Sequence, residues 1–217
     1  MSVSSGTERP LVAVLDYGIG NLRSAQKALE KAGADARLTA DPELIAGAKG
    51  VVLPGVGNFG RCMEAVHASG LGQLAVQAAG SGRPFLGICV GLQMLYERSE
   101  ESPGVAGLGI VPGTIVRLPD GVKRPQMQWN RLLRVRPSAL LDGLGADPWV
   151  YFVHSYAPDD PTHAVGTCDY GTTIVAAIEA GSVWGCQFHP EKSGANGLRI
   201  LSNFVAACTG ASVPAQN

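Results

Sequence analysis

The segment that most constrains the fold is Pro84-Phe85-Leu86-Gly87-Ile88-Cys89-Val90-Gly91, which runs straight into Leu92-Gln93-Met94-Leu95-Tyr96. An apolar run ending among small residues and passing at once into helix-like spacing predicts a strand that turns sharply into a helix. Such a corner throws its central residue, Cys89, outward in a strained conformation, and small neighbours keep the turn free of steric clash. The first turn of the helix carries unpaired N–H groups whose partial positive charge favours a thiolate. The motif alone also fits an inert buried cysteine.

A second segment changes that balance. Trp184-Gly185-Cys186-Gln187-Phe188-His189-Pro190-Glu191-Lys192 reads as a strand ending on a histidine, with a carboxylate two positions on. A thiol of ordinary pKa is mostly protonated at neutral pH, so it needs a base that takes its proton and returns it to a leaving group. His189 is placed to be that base, and Glu191, held across the rigid Pro190, to fix its tautomer and steady the imidazolium. Alone, His189 and Glu191 would read as a surface turn; with Cys89 they form a nucleophile, base and orienting acid.

Around these segments, short apolar runs alternate with helix-period stretches. Leu11 to Leu15 and Val51 to Leu53 read as buried strands, Leu22 to Ala32 as a helix, and Arg61 to Ala79 as helical with an interruption at Gly70. Further on, Ile115 to Leu118, Trp149 to Val153, Thr173 to Ile178 and Val183 to Cys186 are strand-like runs between turn residues, and a last helix covers about Gly197 to Ala207. The expected fold is one α/β domain over residues 10–209, with a central mixed, largely parallel sheet flanked by helices. Residues 1–9 and 210–217 read as a flexible lead and tail.

At 217 residues, 46% hydrophobic and 16% charged, the chain suits one domain with a sizeable core. A net charge of −1 gives no broad electrostatic footprint for nucleic acid or an anionic membrane. Without a signal-like or membrane-spanning apolar run, the expected location is the cytoplasm. Cys62, Cys89, Cys168, Cys186 and Cys208 form no Cys-x-x-Cys pair, which suits neither a disulfide scaffold nor a zinc ribbon, so no metal is expected. Gly55-Val56-Gly57-Asn58-Phe59-Gly60 formally matches the dinucleotide fingerprint, but no Asp or Glu occurs between Glu64 and Glu97 to bind a ribose. No cofactor is expected.

The elbow Gly-Ile-Cys-Val-Gly-Leu-Gln, the later Gln-Phe-His-Pro-Glu-Lys-Ser and Pro54-Gly55-Val56-Gly57 together resemble the class I, triad-type glutamine amidotransferases. The opening Leu15-Asp16-Tyr17-Gly18-Ile19-Gly20-Asn21-Leu22 and Met127-Gln128-Trp129-Asn130 are most similar to the glutaminase subunits of imidazole glycerol phosphate synthases. The resemblance runs from about Leu11 to about Ala207. It implies a flavodoxin-like sheet and glutamine hydrolysis through a Cys89 thioester. The ammonia would pass to a (β/α)₈-barrel cyclase, partner in a heterodimer, that makes imidazole glycerol phosphate and aminoimidazole carboxamide ribonucleotide in histidine biosynthesis.

Pro54-Gly55-Val56-Gly57 then reads as an oxyanion loop. The donors would be the N–H of Val90, after the nucleophile, and, by resemblance, that of Val56, whose peptide is free to reorient between Gly55 and Gly57. Gln93 shares a helix face with Cys89 and, with Gly55 and Gly57 of the loop and Ser155 and Tyr156 after His154, matches the family's substrate-binding positions. Asn21, Trp129, Tyr151 and Lys192 match its interface or gate, while Trp129 and Tyr151 also fit core aromatics and Lys192 a solvated charge. One departure stands out: the family's usual His-Met-Gly-Trp-Asn reads Gln126-Met127-Gln128-Trp129-Asn130 here. Other amidotransferase glutaminases, a stand-alone cysteine hydrolase of the same superfold and a non-catalytic binding module are the competing readings. The Asp16-Tyr17-Gly18 opening argues against the first, and an intact Cys89, His189 and Glu191 against the last.

Overall fold

The computed structural model describes residues 9–210. Most of the expected lead and tail thus lies outside the described residues. The strands, in chain order, are β1 Leu11–Leu15, β2 Asp35–Thr39, β3 Gly50–Gly55, β4 Phe85–Cys89, β5 Arg98–Ser99, β6 Thr114–Arg117, β7 Gln126–Arg131, β8 Leu133–Arg134, β9 Trp149–His154, β10 Tyr156–Pro158, β11 Ala164–Asp169, β12 Thr173–Ala180 and β13 Val183–Cys186. The α-helices are α1 Leu22–Lys31, α2 Pro42–Gly47, α3 Phe59–Ala68, α4 Leu71–Gly80, α5 Val90–Met94 and α6 Gly194–Cys208.

Eight strands form the central sheet in the order β2-β1-β3-β4-β13-β12-β11-β8. The pairings from β2 across to β13 are parallel; those from β13 to β8 are antiparallel. This is the mixed, largely parallel sheet expected from the sequence. Its parallel strands β3 and β4 are buried along their whole length, as a sheet covered on both faces requires. Two small sheets sit beside it, β10-β6-β5 and β7-β9.

The helical stretch expected from Arg61 to Ala79 is two helices, broken where Gly70 takes φ 74°. The last helix begins at Gly194 rather than Gly197. Strands β2, β5, β7, β8, β10 and β11 and helix α2 extend the expected element list. The dinucleotide reading meets a physical obstacle at the start of α3. Its first N–H groups are taken by the chain itself: Phe59 N donates to Glu101 Oε2 (2.6 Å), Gly60 N to Ser102 Oγ (3.0 Å) and Arg61 N to Asn58 Oδ1 (3.1 Å). A helix start already occupied by a carboxylate has no room for a phosphate.

Candidate active site

The parallel pairing of β4 and β13 brings the two key segments together. Cys186 lies beside Ile88 in register, so the chain leaving β13 emerges next to the corner at Cys89 although nearly a hundred residues separate them. Both exits are at the carboxyl ends of parallel strands, where open α/β sheets place their sites.

Cys89 sits at φ 55°, ψ −112°, and among the described residues no other non-glycine has positive φ. Such a conformation costs on the order of 1–3 kcal/mol and persists only where the surroundings impose it. Here the surroundings are backbone packed on backbone. A Cβ on Gly91 would collide with the Leu53 carbonyl oxygen, and one on Gly55 would stand 2.6 Å from Gly91 N. Small residues flank the corner because α5 lies directly on β3. This gives Gly55 a packing reason in addition to the conformational one expected for it, whereas Gly57, at φ 96°, does adopt a backbone that disfavours side chains. Helix α5 ends at Met94, short of the helix-like stretch to Tyr96, so it offers the sulfur local N–H groups rather than a long macrodipole.

His189 and Glu191 are almost wholly buried, and His189 Nδ1 lies 2.8 Å from Glu191 Oε1. Burial pushes the imidazole pKa down. Hydrogen bonding to Cys89 and Glu191, reinforced by their negative charge, outweighs it and raises the pKa to about 9. The ring is therefore set up as an imidazolium against sulfur on one side and carboxylate on the other. Its backbone is stitched to β9: His189 N donates to Tyr151 O (2.9 Å), Tyr151 N to Ser193 Oγ (2.9 Å), and Ser193 Oγ to His189 O (2.6 Å).

A pocket of about 310 Å³ opens onto Cys89 and His189, large enough for an amino-acid-sized ligand. Of the residues singled out in the sequence, Val56, Gly57, Val90, Gln93, Ser155, Tyr156 and Lys192 also line it. Gly55, Asn21 and Glu191 line a much smaller cleft beside it, which shares Val56 and His189 with the main pocket. Trp129 and Tyr151 stand outside both. They face each other across β7 and β9, rings 6.0 Å apart, and Trp129 is half exposed rather than a core aromatic. Among the described residues no group of three His, Cys, Asp or Glu could hold a metal ion.

Sequence reasoning missed Gln187, Glu101, Pro125 and Val153, and left the role of His154 open. All but Gln187 line the pocket; Gln187 lies beneath it against the sulfur. His154 is kept neutral: burial lowers its pKa to about 4. Its Nδ1 lies 2.8 Å from the Tyr156 carbonyl, which only accepts, so Nδ1 carries the proton and Nε2 is left as an acceptor. Gln126 Oε1 is placed 2.9 Å from His154 Nε2 and Gln126 Nε2 4.0 Å from the Cys168 sulfur. Because His154 Nε2 has no proton to give, a hydrogen bond there requires the amide turned over, with its NH₂ toward the ring and its oxygen toward the thiol. Gln126, the residue that departs from the family pattern, thus fills a fully buried polar position. Gln128, the other departure, is exposed.

The sheet order, the strained cysteine corner and the buried His–Glu pair at one pocket define a class of protein, the class I glutamine amidotransferases. The family description "Glutamine amidotransferase class-I" matches residues 13–208. Solved structures agree on the fold alone: a glutamine amidotransferase superposes with TM-score 0.73 at 20% identity, over 91% of this chain and 98% of the other. PurLQS from Thermotoga maritima gives 0.70 at 19% identity, over 91% and 98%. Closer similarity lies with imidazole glycerol phosphate synthase subunits HisH. That of Methanothermobacter thermautotrophicus is 48% identical, over 90% of this chain and 98% of its own length. That of Synechococcus elongatus is 50% identical, over 90% and 93%. The chain belongs to the HisH family of glutamine amidotransferases.

Proposed function

We propose that the chain hydrolyses glutamine at Cys89 and passes the ammonia to a (β/α)₈-barrel cyclase with which it forms a heterodimer. The observation that carries the catalytic part is the strained Cys89 facing, in one pocket, a His189 whose imidazolium is favoured by sulfur and Glu191. The Cys89 thiolate adds to the side-chain carbonyl carbon of glutamine, giving a tetrahedral oxyanion that the N–H groups of Val90 and Val56 stabilise. His189 gives its proton to the amide nitrogen, the C–N bond breaks, and ammonia leaves a glutamyl thioester. His189 then takes a proton from water, whose oxygen attacks the thioester carbon; the sulfur departs, and glutamate is released. Gln93, Ser155 and Tyr156, with Gly55 and Gly57 shaping the loop, hold the amino-acid end of the substrate.

The exposed side chains of β7 and β9 support a partner surface there. Cross-strand pairs share a face, so Met127 with Val153, Trp129 with Tyr151 and Arg131 with Trp149 form one surface. Met127 is 61% exposed, Trp129 46% and Trp149 45%, an apolar concentration that suits a protein interface. It reaches the pocket through Val153, which lines it. Lys192 stands exposed at the pocket, in no ion pair among the described residues, and follows Glu191 directly. With Asn21 it offers the partner a contact beside the triad.

The isolated chain should therefore be a poor glutaminase that the cyclase, carrying its ligand, switches on. A hundredfold gain needs about 2.7 kcal/mol, within reach of one correctly placed oxyanion donor. Steady-state glutamate release, measured with and without the liganded cyclase, tests this. Lys192→Ala should cut the partner-stimulated rate by about tenfold and the free rate by less than about twofold. Equal rates in the free chain and the liganded complex would end the proposal of partner control.

A further inference from the structure

Gln187 is fully buried between the end of β13 and His189, and the reaction proposed above gives it no part. Its backbone N–H is tied to Ala176 O (2.9 Å), so the side chain has a fixed base. Its Nε2 lies 3.8 Å from Cys89 Sγ, a hydrogen-bonding distance for sulfur, and its Oε1 accepts from Gln93 Nε2 at 3.2 Å. Gln93 Nε2 also donates to the Tyr156 carbonyl at 3.0 Å.

The direction of this chain of bonds is not arbitrary. Either glutamine alone could be turned end over end, but the Tyr156 carbonyl can only accept. Gln93 must therefore present its NH₂ to Tyr156, and its second N–H meets Gln187. Gln187 must answer with its oxygen, which leaves its NH₂ pointing at the sulfur. Turning Gln187 would set two NH₂ groups against each other, and turning both would set two oxygens against each other at Tyr156.

We propose that Gln187 is a positioning residue for the nucleophile: its side-chain NH₂ donates to the Cys89 thiolate, in an orientation imposed through Gln93 by the Tyr156 carbonyl. The inference rests on the reading of Cys89 as nucleophile. The sulfur's other close polar neighbour on this side is the Val153 carbonyl at 3.7 Å, which can accept from a thiol but offers a thiolate nothing. An anion held away from water requires donors. His189 provides one at the pocket and Gln187 another from beneath, which also holds the sulfur in the rotamer that attacks into the pocket. Gln93 lines that pocket, so the side chain that orients Gln187 also borders the substrate.

Two variants separate the donor from the packing. Gln187→Glu keeps the shape and the acceptor for Gln93 but turns an anionic oxygen toward the sulfur. Gln187→Met keeps the length and removes every donor. The readout is the rate of Cys89 alkylation by iodoacetamide in the full-length chain, resolved by peptide mass spectrometry between about pH 5 and pH 10, alongside glutaminase kcat and KM. In Gln187→Met the alkylation profile should move up by about one pH unit, with about tenfold slower reaction at neutral pH. Gln187→Glu should move it further, with kcat falling while KM changes by less than about twofold, since the Gln93 contact survives. Profiles that superimpose on the wild type, in variants with native circular dichroism and Tm, would overturn the proposal; should one variant fail to fold, the other decides. Glutaminase activity surviving in Cys89→Ala would instead overturn the nucleophile assignment, which the alkylation profile does not test.

Discussion

Cys89→Ala is expected to abolish glutamine hydrolysis, a loss of at least about 10⁴-fold, while the protein folds normally. Alanine keeps the Cβ, so the strained corner is no worse, and only a sulfur facing a pocket is removed. No other cysteine can take over. Burial raises the thiol pKa of Cys62, Cys168, Cys186 and Cys208, to about 12 for Cys168 and Cys208, and none of the four lines the pocket. In a complex with the cyclase, Cys89→Ala should still support synthesis from added ammonium salts. Glutamate release from the variant, followed by a coupled dehydrogenase assay, checks the loss; a rate within tenfold of wild type would remove Cys89 from the mechanism.

His189→Ala should cost nearly as much, because it removes the group that protonates departing ammonia and later activates water. Glu191→Gln should cost at least about tenfold less than that, since the amide oxygen still accepts from Nδ1 and only the charge that steadies the imidazolium is lost. Equal, complete losses in two well-folded variants would give Glu191 another role. The same histidine leaves a mark on stability. Its folded pKa of about 9 lies above the ordinary 6.5, so its protonation stabilises the native chain fully below about pH 6.5 and loses that effect as the pH rises through about 9. Wild-type Tm should thus fall more across this window than the Tm of His189→Ala, as thermal scans at several pH values would read directly.

What was legible in the sequence, and what was not, follows from how local each signal is. The corner at Cys89 and the apolar strands β1, β3, β4 and β13 announce themselves because a buried parallel sheet needs continuous apolar runs, and the antiparallel β12 does so because most of its length is buried as well. Strand β2, Asp-Ala-Arg-Leu-Thr, lies at the sheet's outer edge and carries two charges, so its identity comes from pairing with β1. Strand β7, Gln-Met-Gln-Trp-Asn-Arg, is likewise made a strand by β9. Helix α2 does carry a local signal, Asp41 ahead of Pro42: the Asp41 side chain accepts from Glu43 N at 2.9 Å. At the site, residue types alone singled out Cys89, His189 and Glu191, and the structure brings all three to one place. Gln187 gave no such sign. Its partners, Gln93 and Cys89, lie 94 and 98 residues away, and only the β4–β13 register brings them within reach. The glycines show the same limit: Gly91 reads as a turn residue but is required because α5 lies on Leu53.

The most direct measurement of the central claim is to stop the chain's reaction with glutamine by rapid acid quench and map the trapped covalent species by mass spectrometry. The expected result is a glutamyl group on the Cys89 sulfur, carried by the intact protein during turnover and absent from Cys89→Ala. A glutamyl group on another residue, or glutamate formed at the full rate with no protein-bound intermediate in wild type or in the slowed Glu191→Gln variant, would contradict it.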